Sequence, residues 1–500
     1  MLGVRRSRSA QAKSSLLADV CSLDARAVLG GTVGEQERDR EFVRGGPLSL
    51  EEFRALAKRD EVDTIVCAVP DLYGRLMGKR LTPRSFERLV VDGDGVHACK
   101  YFFGADIELE PMELPVCGAA NGYPDFRMVP DINTLRRIPW EPSTALVLCD
   151  AFEDGSEVPV PVAPRSILRG QLERADALDL ELTVASELEF VLAITADAGA
   201  SGLPLSELRR SSQYRVDYDM LEAGRIEWFI RKVRLALDAF GIPVEAYKPE
   251  WGLGQHEITI EYASALEMAD RHTLFKYTVK ELACREGLTA SFMAKPGIHE
   301  VGSSCHLHVS LRSKGSGSAL GWDGHAEGQM SETFAQFLAG QLRLSPDVVL
   351  LWAPTVNSYK RFTPNAFAGT TLVAGRDNRS CAFRVVGDGE SFRMENRIPG
   401  ADVNPYHAIA GVLAAGIYGI ENELPAPSLY VGNAYADPAL KRVWTSLHEA
   451  EAHFRSSREA QTAFGEEVHA HLADCARVEV RRFEGETVTD WEMRRYFARV

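Results

Sequence analysis

Paired cysteines are missing from this 500-residue chain. Its nine cysteines are scattered, odd in number and never in C-x-x-C spacing, which argues against a disulfide framework and against a sulfur-rich zinc site. No apolar run reaches the roughly 18 residues of a membrane-crossing helix. An excess of positive charge is missing too: 71 acidic against 56 basic residues give a net charge of −15, the wrong sign for a general nucleic-acid binder. The start, MLGVRRSRSAQAKSS, is basic and Ser-rich without an apolar stretch, so it is no secretory signal and reads as a disordered tail rather than a transit peptide. GRLMGKRL, from Gly74 to Leu81, is no phosphate loop, because its spacer is one residue short and no Ser or Thr follows Lys79; it reads as a basic turn. What remains is an ordinary globular composition, suited to a reducing cytosol, with length for roughly two to four domains.

The most informative stretch is Gly375 to Gly400, GRDNRSCAFRVVGDGESFRMENRIPG. It holds Arg376, Arg379, Arg384, Arg393 and Arg397, with Glu395 between the last two. Residues two apart share one face of a strand, so Arg393, Glu395 and Arg397 point the same way. Guanidinium, carboxylate and guanidinium in alternation suit an anionic ligand that carries a metal ion. A solvated edge strand of surface ion pairs has the same composition.

Residues 1–45 read as a mobile extension, 46–155 as a small β-rich domain and 156–500 as a larger domain, with the boundary at DGSEVPVPVAPR. Ser49 caps a short helix to Lys58, and Val62–Asp71 and Thr144–Asp150 read as strands. In the larger part, Glu181–Leu192 is a strand whose alternation puts Glu187 and Glu189 on one face and Leu188 and Phe190 on the other. Glu250 and Glu257 flank a Gly-containing turn between two strands. His256 alternates away from Glu257 and reads as a structural or surface histidine. His306 and His308 share one face of the strand in GSSCHLHVSL. Asn404 and Pro405 open a helix that is apolar nearly all round, as a buried helix is.

Glu187, Glu189, Glu250, Glu257, His306 and Glu395 form a set of ligand-type residues on predicted strands or strand ends. Five clustered carboxylates repel one another strongly unless cations lie between them. Two or three Mg2+ or Mn2+ ions resolve this, because hard cations take oxygen ligands. Arg361, Arg379, Arg384, Arg393 and Arg397 then supply anion contacts. Metals and an arginine clamp without a nucleophilic Ser or Cys point to phosphoryl transfer, which is largely positioning and charge neutralisation.

The pieces SELEF, EWGLGQHE, GSSCHLH, NSYKRFTP, NRSCAFR and RMENRIPGADVNPY resemble, in order, those of the glutamine synthetase family, over nearly all of residues 60–500. The resemblance implies an α+β protein: a small N-terminal β-grasp-like domain and a large C-terminal catalytic domain with a curved antiparallel sheet flanked by helices. It also implies a cytoplasmic homo-oligomer, a dodecamer of two stacked hexameric rings with active sites between subunits. Glu189, Glu250 and Glu257 would hold one metal, and Glu187, His306 and Glu395 another. Glu245, His308, Ser310 and Arg393 would contact ATP, while Gly302, Arg361 and Arg397 would bind L-glutamate. Arg379 and Arg384 would meet the transferred phosphoryl group. The family reaction activates the glutamate γ-carboxylate as γ-glutamyl phosphate, which an amine attacks.

The chain departs from that pattern at the amine. Ammonia-using members carry a Glu six residues after the Arg of NSYKR, and here that position is Phe367. Their FDGSS motif is replaced by HACKYFFGAD, and the Asn before the glycine of GSSCH is Val301. An apolar ring neither holds a small cation by charge nor acts as a base. The sequence is therefore similar to glutamine-synthetase-like ligases that make γ-glutamyl amides from organic amines such as ethanolamine, polyamines, isopropylamine or aniline. Phe367, Tyr101, Phe102 and Phe103 favour an apolar or aromatic acceptor, although the YFF run is equally a core element. The competing readings are an ordinary ammonia-using glutamine synthetase, a non-catalytic ring-forming relative that has lost its chemistry, and a kinase-like or guanidino-phosphotransferase enzyme, against which the motif order speaks.

Overall fold

The computed structural model describes residue 42 and residues 46–91, 93–194, 208–363 and 366–499. The extension expected at 1–45 lies, Phe42 apart, outside the described residues. The first helix among the described residues is α1, Leu50–Lys58. Ser49 Oγ accepts from the Glu52 N–H, and the Glu52 carboxylate accepts from the Ser49 N–H, a reciprocal cap that contributes about 1 kcal/mol.

The first sheet is built from β1 (Thr64–Pro70), β2 (Leu76–Leu81), β3 (Val96–Cys99), β4 (Asp125–Pro130), β5 (Arg136–Arg137) and β6 (Thr144–Glu153). Its order is β2-β1-β6-β4-β3, with β5 beside β6. The apolar runs TIVCAVP and TALVLC become the parallel neighbours β1 and β6, buried as near-continuous hydrophobic strands are. GRLMGKRL corrects the sequence reading. From Leu76 it is a strand, paired antiparallel with β1, and Lys79 and Arg80 stay exposed on this edge.

Helix α2 (Pro164–Asp176) leads to the second sheet, with strands β7 (Leu180–Ile194), β8 (Val244–Pro249), β9 (Gln255–Ile260), β10 (Ala263–Ser264), β11 (Leu288–Ser291), β12 (Cys305–Ser313), β13 (Ala374–Arg376), β14 (Phe383–Val386) and β15 (Arg393–Asn396). The order is β13-β14-β15-β12-β7-β9-β8, and β10 and β11 also pair with β7. All pairs are antiparallel except β13–β14. β15 lies between β12 and β14, so the edge-strand account of Arg393–Arg397 fails. Helices α3 (Glu227–Ala239), α4 (Ala265–Arg285), α5 (Glu332–Val348) and α6 (Pro405–Glu421) follow. Asn404 caps α6 through the Tyr406 N–H, and α6 is buried along most of its length. Gly340 on α5 and Gly419 on α6 let the two helices touch backbone to backbone; a Cβ on either would overlap the other helix. α7 (Leu447–Ser456) and α8 (Glu466–Glu486) pack together near the end.

One buried guanidinium ties the first sheet to the helices of the second. Arg165 on α2, 1% exposed, donates to Asp131 (2.6 Å), Asp150 (2.8 Å) and Asp270 on α4 (2.6 Å). Tyr406 on α6 adds a 2.7 Å bond to Asp270. Arg165→Leu would strand the buried Asp270 carboxylate without its cation. It is expected to lower unfolding free energy by about 3 kcal/mol, read as a lower urea midpoint at unchanged slope.

Candidate functional site

Strand register brings the candidate ligands together. Glu189 on β7 lies directly opposite Glu257 on β9. Glu187 lies opposite His306 on β12, and His308 opposite Glu395 on β15. Side chains alternate along each strand, so these six share one face of the sheet. Glu250 opens the β8–β9 connection, directly after β8, and joins them. One carboxylate oxygen from each of Glu189, Glu250 and Glu257 falls within 4.8 Å of the others, and Glu187, His308 and Glu395 form a second such group.

Hydrogen bonds distinguish the two imidazoles. Arg393 Nε donates to His308 Nδ1 at 3.1 Å. A guanidinium is always a donor, so His308 carries its proton on Nε2, which comes within 2.8 Å of Glu187 Oε1. His306 Nδ1 lies between two carboxylates, 3.3 Å from Glu187 Oε2 and 3.4 Å from Glu395 Oε1. Its Nε2, like that of His308, is buried without a hydrogen-bond partner. The ring that gathers with Glu187 and Glu395 is His308, where the sequence pointed to His306; His306 Nδ1 faces the same two carboxylates.

The electrostatics of the two groups differ. Burial, with the charge of Glu250 next, pushes the Glu189 carboxyl up to about 8. Burial and the charges of Glu187, Glu189 and Glu250 push Glu257 up to about 9. Lys248 meets Glu250 and lies opposite Glu257, one ammonium among three acids. In the second group burial also works to raise the carboxyls, yet it is outweighed. His306 and His308 hold Glu187 well below the ordinary range, and His306 and Arg397 hold Glu395 at about 2. Burial and Arg397 lower His306, keeping it neutral as a metal ligand must be. A buried all-oxygen set whose carboxyls are pushed up, beside a Glu-His-Glu set, can hold metal ions.

The arginines surround this face unequally. Arg384 donates to Glu395 Oε2 (2.9 Å) and to Asp377 Oδ1 (2.6 Å). Arg397 donates to Glu395 and to the Phe367 carbonyl (3.1 Å). Arg361, 2% exposed, donates to Ser304 Oγ (3.3 Å) and to the Ile398 carbonyl. The Nε atoms of Arg361 and Arg397 are buried and unspent. Gly302 packs on Arg361 so closely that a Cβ would overlap the arginine side chain and stand 2.8 Å from the Ala294 carbonyl. Arg379 is exposed, in a cleft with Phe367 and Tyr435. Ser310 donates to the Phe392 carbonyl (3.1 Å). Glu245 is exposed at a separate cleft with Arg231 and Arg234.

Phe367 is 60% exposed, its ring edge-on to Tyr435 at 6.4 Å. Its φ of 53° is unusual for a bulky residue. Tyr101 and Phe102 are not brought to this cleft within the chain. They sit in a 3₁₀ turn of the first-sheet region, Lys100–Phe103, where Tyr101 packs on Phe102, and Phe102 and the buried Phe103 pack on Phe126. His256 is buried between Ser211 and Tyr247, the structural role expected of it.

Sequence reasoning missed Gln255, Lys248 and Tyr435. Gln255 Nε2 donates to Glu189 Oε2 (2.8 Å) and to the Gly302 carbonyl (3.0 Å), orienting one carboxylate. No sequence signal marks Lys248, which only the β8–β9 register sets opposite Glu257.

The glutamine synthetase catalytic-domain model matches residues 161–496. Gamma-glutamylethanolamide synthetase GlnA4 of Streptomyces coelicolor is 44% identical, over 91% of this chain and 97% of that one. Glutamate–isopropylamine ligase of a Pseudomonas species is 36% identical, over 89% and 96%, and glutamine synthetase of Thermus thermophilus is 32% identical, over 91% and 99%. The solved structure of apo GmaS superimposes with a TM-score of 0.77 at 28% identity, covering 90% of this chain and 100% of that one. In order of elements, in the acids and imidazoles on one sheet face and in these similarities, the chain belongs to the glutamine synthetase family.

Proposed function

We propose that this ligase joins the γ-carboxylate of L-glutamate to an organic amine at the expense of ATP, through γ-glutamyl phosphate, giving a γ-glutamyl amide, ADP and phosphate. Relatives named for ethanolamide and isopropylamine products support this reading. The observation that carries the choice of acceptor is Phe367. It stands where ammonia-using members place a Glu, and its ring borders the cleft that holds Arg379.

Glu189, Glu250 and Glu257 would hold one divalent ion, and Glu187, His306 and Glu395 another, with Mg2+ or Mn2+ as the ion and two or three per site. Bound there, the ions would neutralise the triphosphate and polarise the phosphoryl group in transfer. The unspent Nε donors of Arg361 and Arg397 suit the carboxylates of glutamate, an acceptor of forked hydrogen bonds. Arg379 and Arg384 are placed to take up charge on the transferred phosphoryl group. His308, Ser310 and Arg393 form the proposed nucleotide side, and Glu245, although it lines a different cleft within the chain, is assigned to the nucleotide by the family resemblance alone. The amine needs only to reach the γ-carbonyl in its neutral form, and an apolar wall favours that form over its ammonium ion. The assembly in this proposal is a cytoplasmic dodecamer of two stacked hexamers, in which Tyr101 and Phe102 of one subunit would border the site of the next.

Phosphate release with glutamate, ATP, Mg2+ and a panel of ammonia, ethanolamine, isopropylamine, aniline and putrescine tests the reading. An organic amine is expected to surpass ammonia in kcat/KM; ammonia winning by a wide margin would overturn it. Gly302→Ala is expected to displace Arg361 and raise the KM for glutamate at least about tenfold, with the KM for ATP little changed, in steady-state kinetics.

A further inference from the structure

The cleft beside Phe367 has a second aromatic wall that no motif announces. Tyr435 meets the Phe367 ring edge-on, at 6.4 Å between centroids and 84° between planes. Both rings and Arg379 line the same cleft. Perpendicular rings make a corner, with one wall apolar and the other ending in a hydroxyl.

Tyr435 is held firmly for a residue in an irregular segment. It lies in the 3₁₀ turn Ala434–Ala436, where Asn433 Oδ1 accepts from its N–H. Arg442 donates to its carbonyl at 2.9 Å. The Ala434 N–H donates to Ser380 Oγ (2.9 Å), and Asn378 Nδ2 donates to the Gly432 carbonyl (2.8 Å). These bonds stitch the segment carrying Tyr435 to the segment carrying Arg379. Bonds from Leu372 to Lys441 and from Val443 to Thr370 tie the chain just after Phe367 to the chain just after Tyr435. The two rings and the arginine therefore form one preorganised unit, not three independent surface residues.

We infer that Tyr435 determines acceptor specificity: it forms the far wall of the amine pocket and selects a short primary amine whose other end carries a hydroxyl, an amino alcohol. This rests on the amine-ligase reading above. The short apolar stem of the neutral amine lies against Phe367. The phenol of Tyr435 is half-buried and stays neutral, because burial raises its pKa. The hydroxyl donates to the Arg379 carbonyl at 3.5 Å and meets the Gly369 backbone, so what it offers an alcohol is its remaining acceptor lone pair, which an alkyl end cannot use. A site built to hydrogen-bond a substrate hydroxyl discriminates against the analogue lacking it far better than an apolar pocket discriminates by size.

The test is Tyr435→Phe, which keeps the ring and removes the hydroxyl, assayed with ethanolamine and with propylamine, of equal length. Tyr435→Phe is expected to raise the KM for ethanolamine about tenfold and to leave that for propylamine within about twofold. The KM values for glutamate and ATP, and kcat at saturating amine, are expected to stay unchanged. Tyr435→Ala removes the wall and is expected to raise the KM for both amines. An unchanged ethanolamine-to-propylamine ratio in Tyr435→Phe would overturn the inference, as would a change confined to the glutamate KM. If the wild-type enzyme prefers ammonia to both, the amine-ligase reading itself falls; if it prefers an organic amine and Tyr435→Phe leaves the ratio unmoved, only the role of Tyr435 falls.

Discussion

Glu257→Gln is expected to cut turnover by at least about a thousandfold while leaving the fold intact. The magnitude follows from the chemistry assigned to the site. A divalent cation at a transferring phosphoryl group supplies several kcal/mol of transition-state stabilisation, and about 4 kcal/mol is three decades in rate. The variant replaces one of three converging carboxylates with a neutral amide of the same shape. The same substitution should stabilise the ion-free protein. Glu257 is buried, 9% exposed, opposite Glu189, and its ionised form is opposed by burial first and then by three neighbouring acids. Removing one acid relieves that opposition.

The sign of the pH dependence follows. Glu189 and Glu257 have folded-state pKa values near 8 and 9, raised above the ordinary value of 4.5. A raised carboxyl pKa means that the folded state binds protons the unfolded state has released. Its contribution to stability is full below about 4.5 and is lost as pH rises through 8 to 9. Chelator-treated protein is therefore expected to show a Tm that falls between pH 5 and 9, more steeply than that of Glu257→Gln. Added Mg2+ or Mn2+ should raise Tm more at pH 8 than at pH 5, because ions bind the deprotonated site. A Tm insensitive to both pH and ion would show that the acids do not surround a cation. Lost activity with an unchanged ion response would instead move Glu257 to another role.

The part of this site that was legible in the sequence is the part governed by the two-residue period of strands. Glu187 with Glu189, and His306 with His308, announce a shared face by spacing alone, and β7 and β12 place them so. What spacing cannot give is which strand stands next to which. Lys248 enters the first acid group only because β8 pairs with β9 in the register that sets it opposite Glu257. Tyr435 enters the acceptor cleft through side-chain bonds between segments some fifty residues apart. Gly74–Leu81 reads locally as a turn, since Gly, Lys and Arg dominate it, and from Leu76 it becomes a strand because β1 offers it a complete backbone ladder. The YFF run shows the opposite failure. Its aromatics invited a pocket, and within the chain they pack on Phe126, because burial is the commoner fate of large rings.

Phe367→Glu is expected to turn the acceptor preference toward ammonia, shifting the ratio of kcat/KM for ammonia over that for an organic amine by at least about a thousandfold. Two independent changes contribute. A carboxylate at this position can hold an ammonium ion by charge and take its proton, and general-base catalysis contributes about 10²–10⁴-fold. The same carboxylate removes the apolar wall that an alkyl stem would lie against, a loss of about 1–3 kcal/mol or 10–200-fold for the organic acceptor. The position is anchored for either residue, because Arg397 holds it through the backbone carbonyl at 3.1 Å and not through the ring. That bond also puts a permanent cation beside the new carboxylate, which favours its ionised form. The backbone sits at φ 53°, where any residue with a Cβ is strained by about 1–2 kcal/mol. Phe367→Gly is therefore the control: it relieves the strain and deletes the ring without adding a base. It should weaken binding of the organic amine without helping ammonia. Should Phe367→Gly and Phe367→Glu raise ammonia use equally, the ring would be acting as a simple plug over the cleft, and the charge argument for the acceptor would fail.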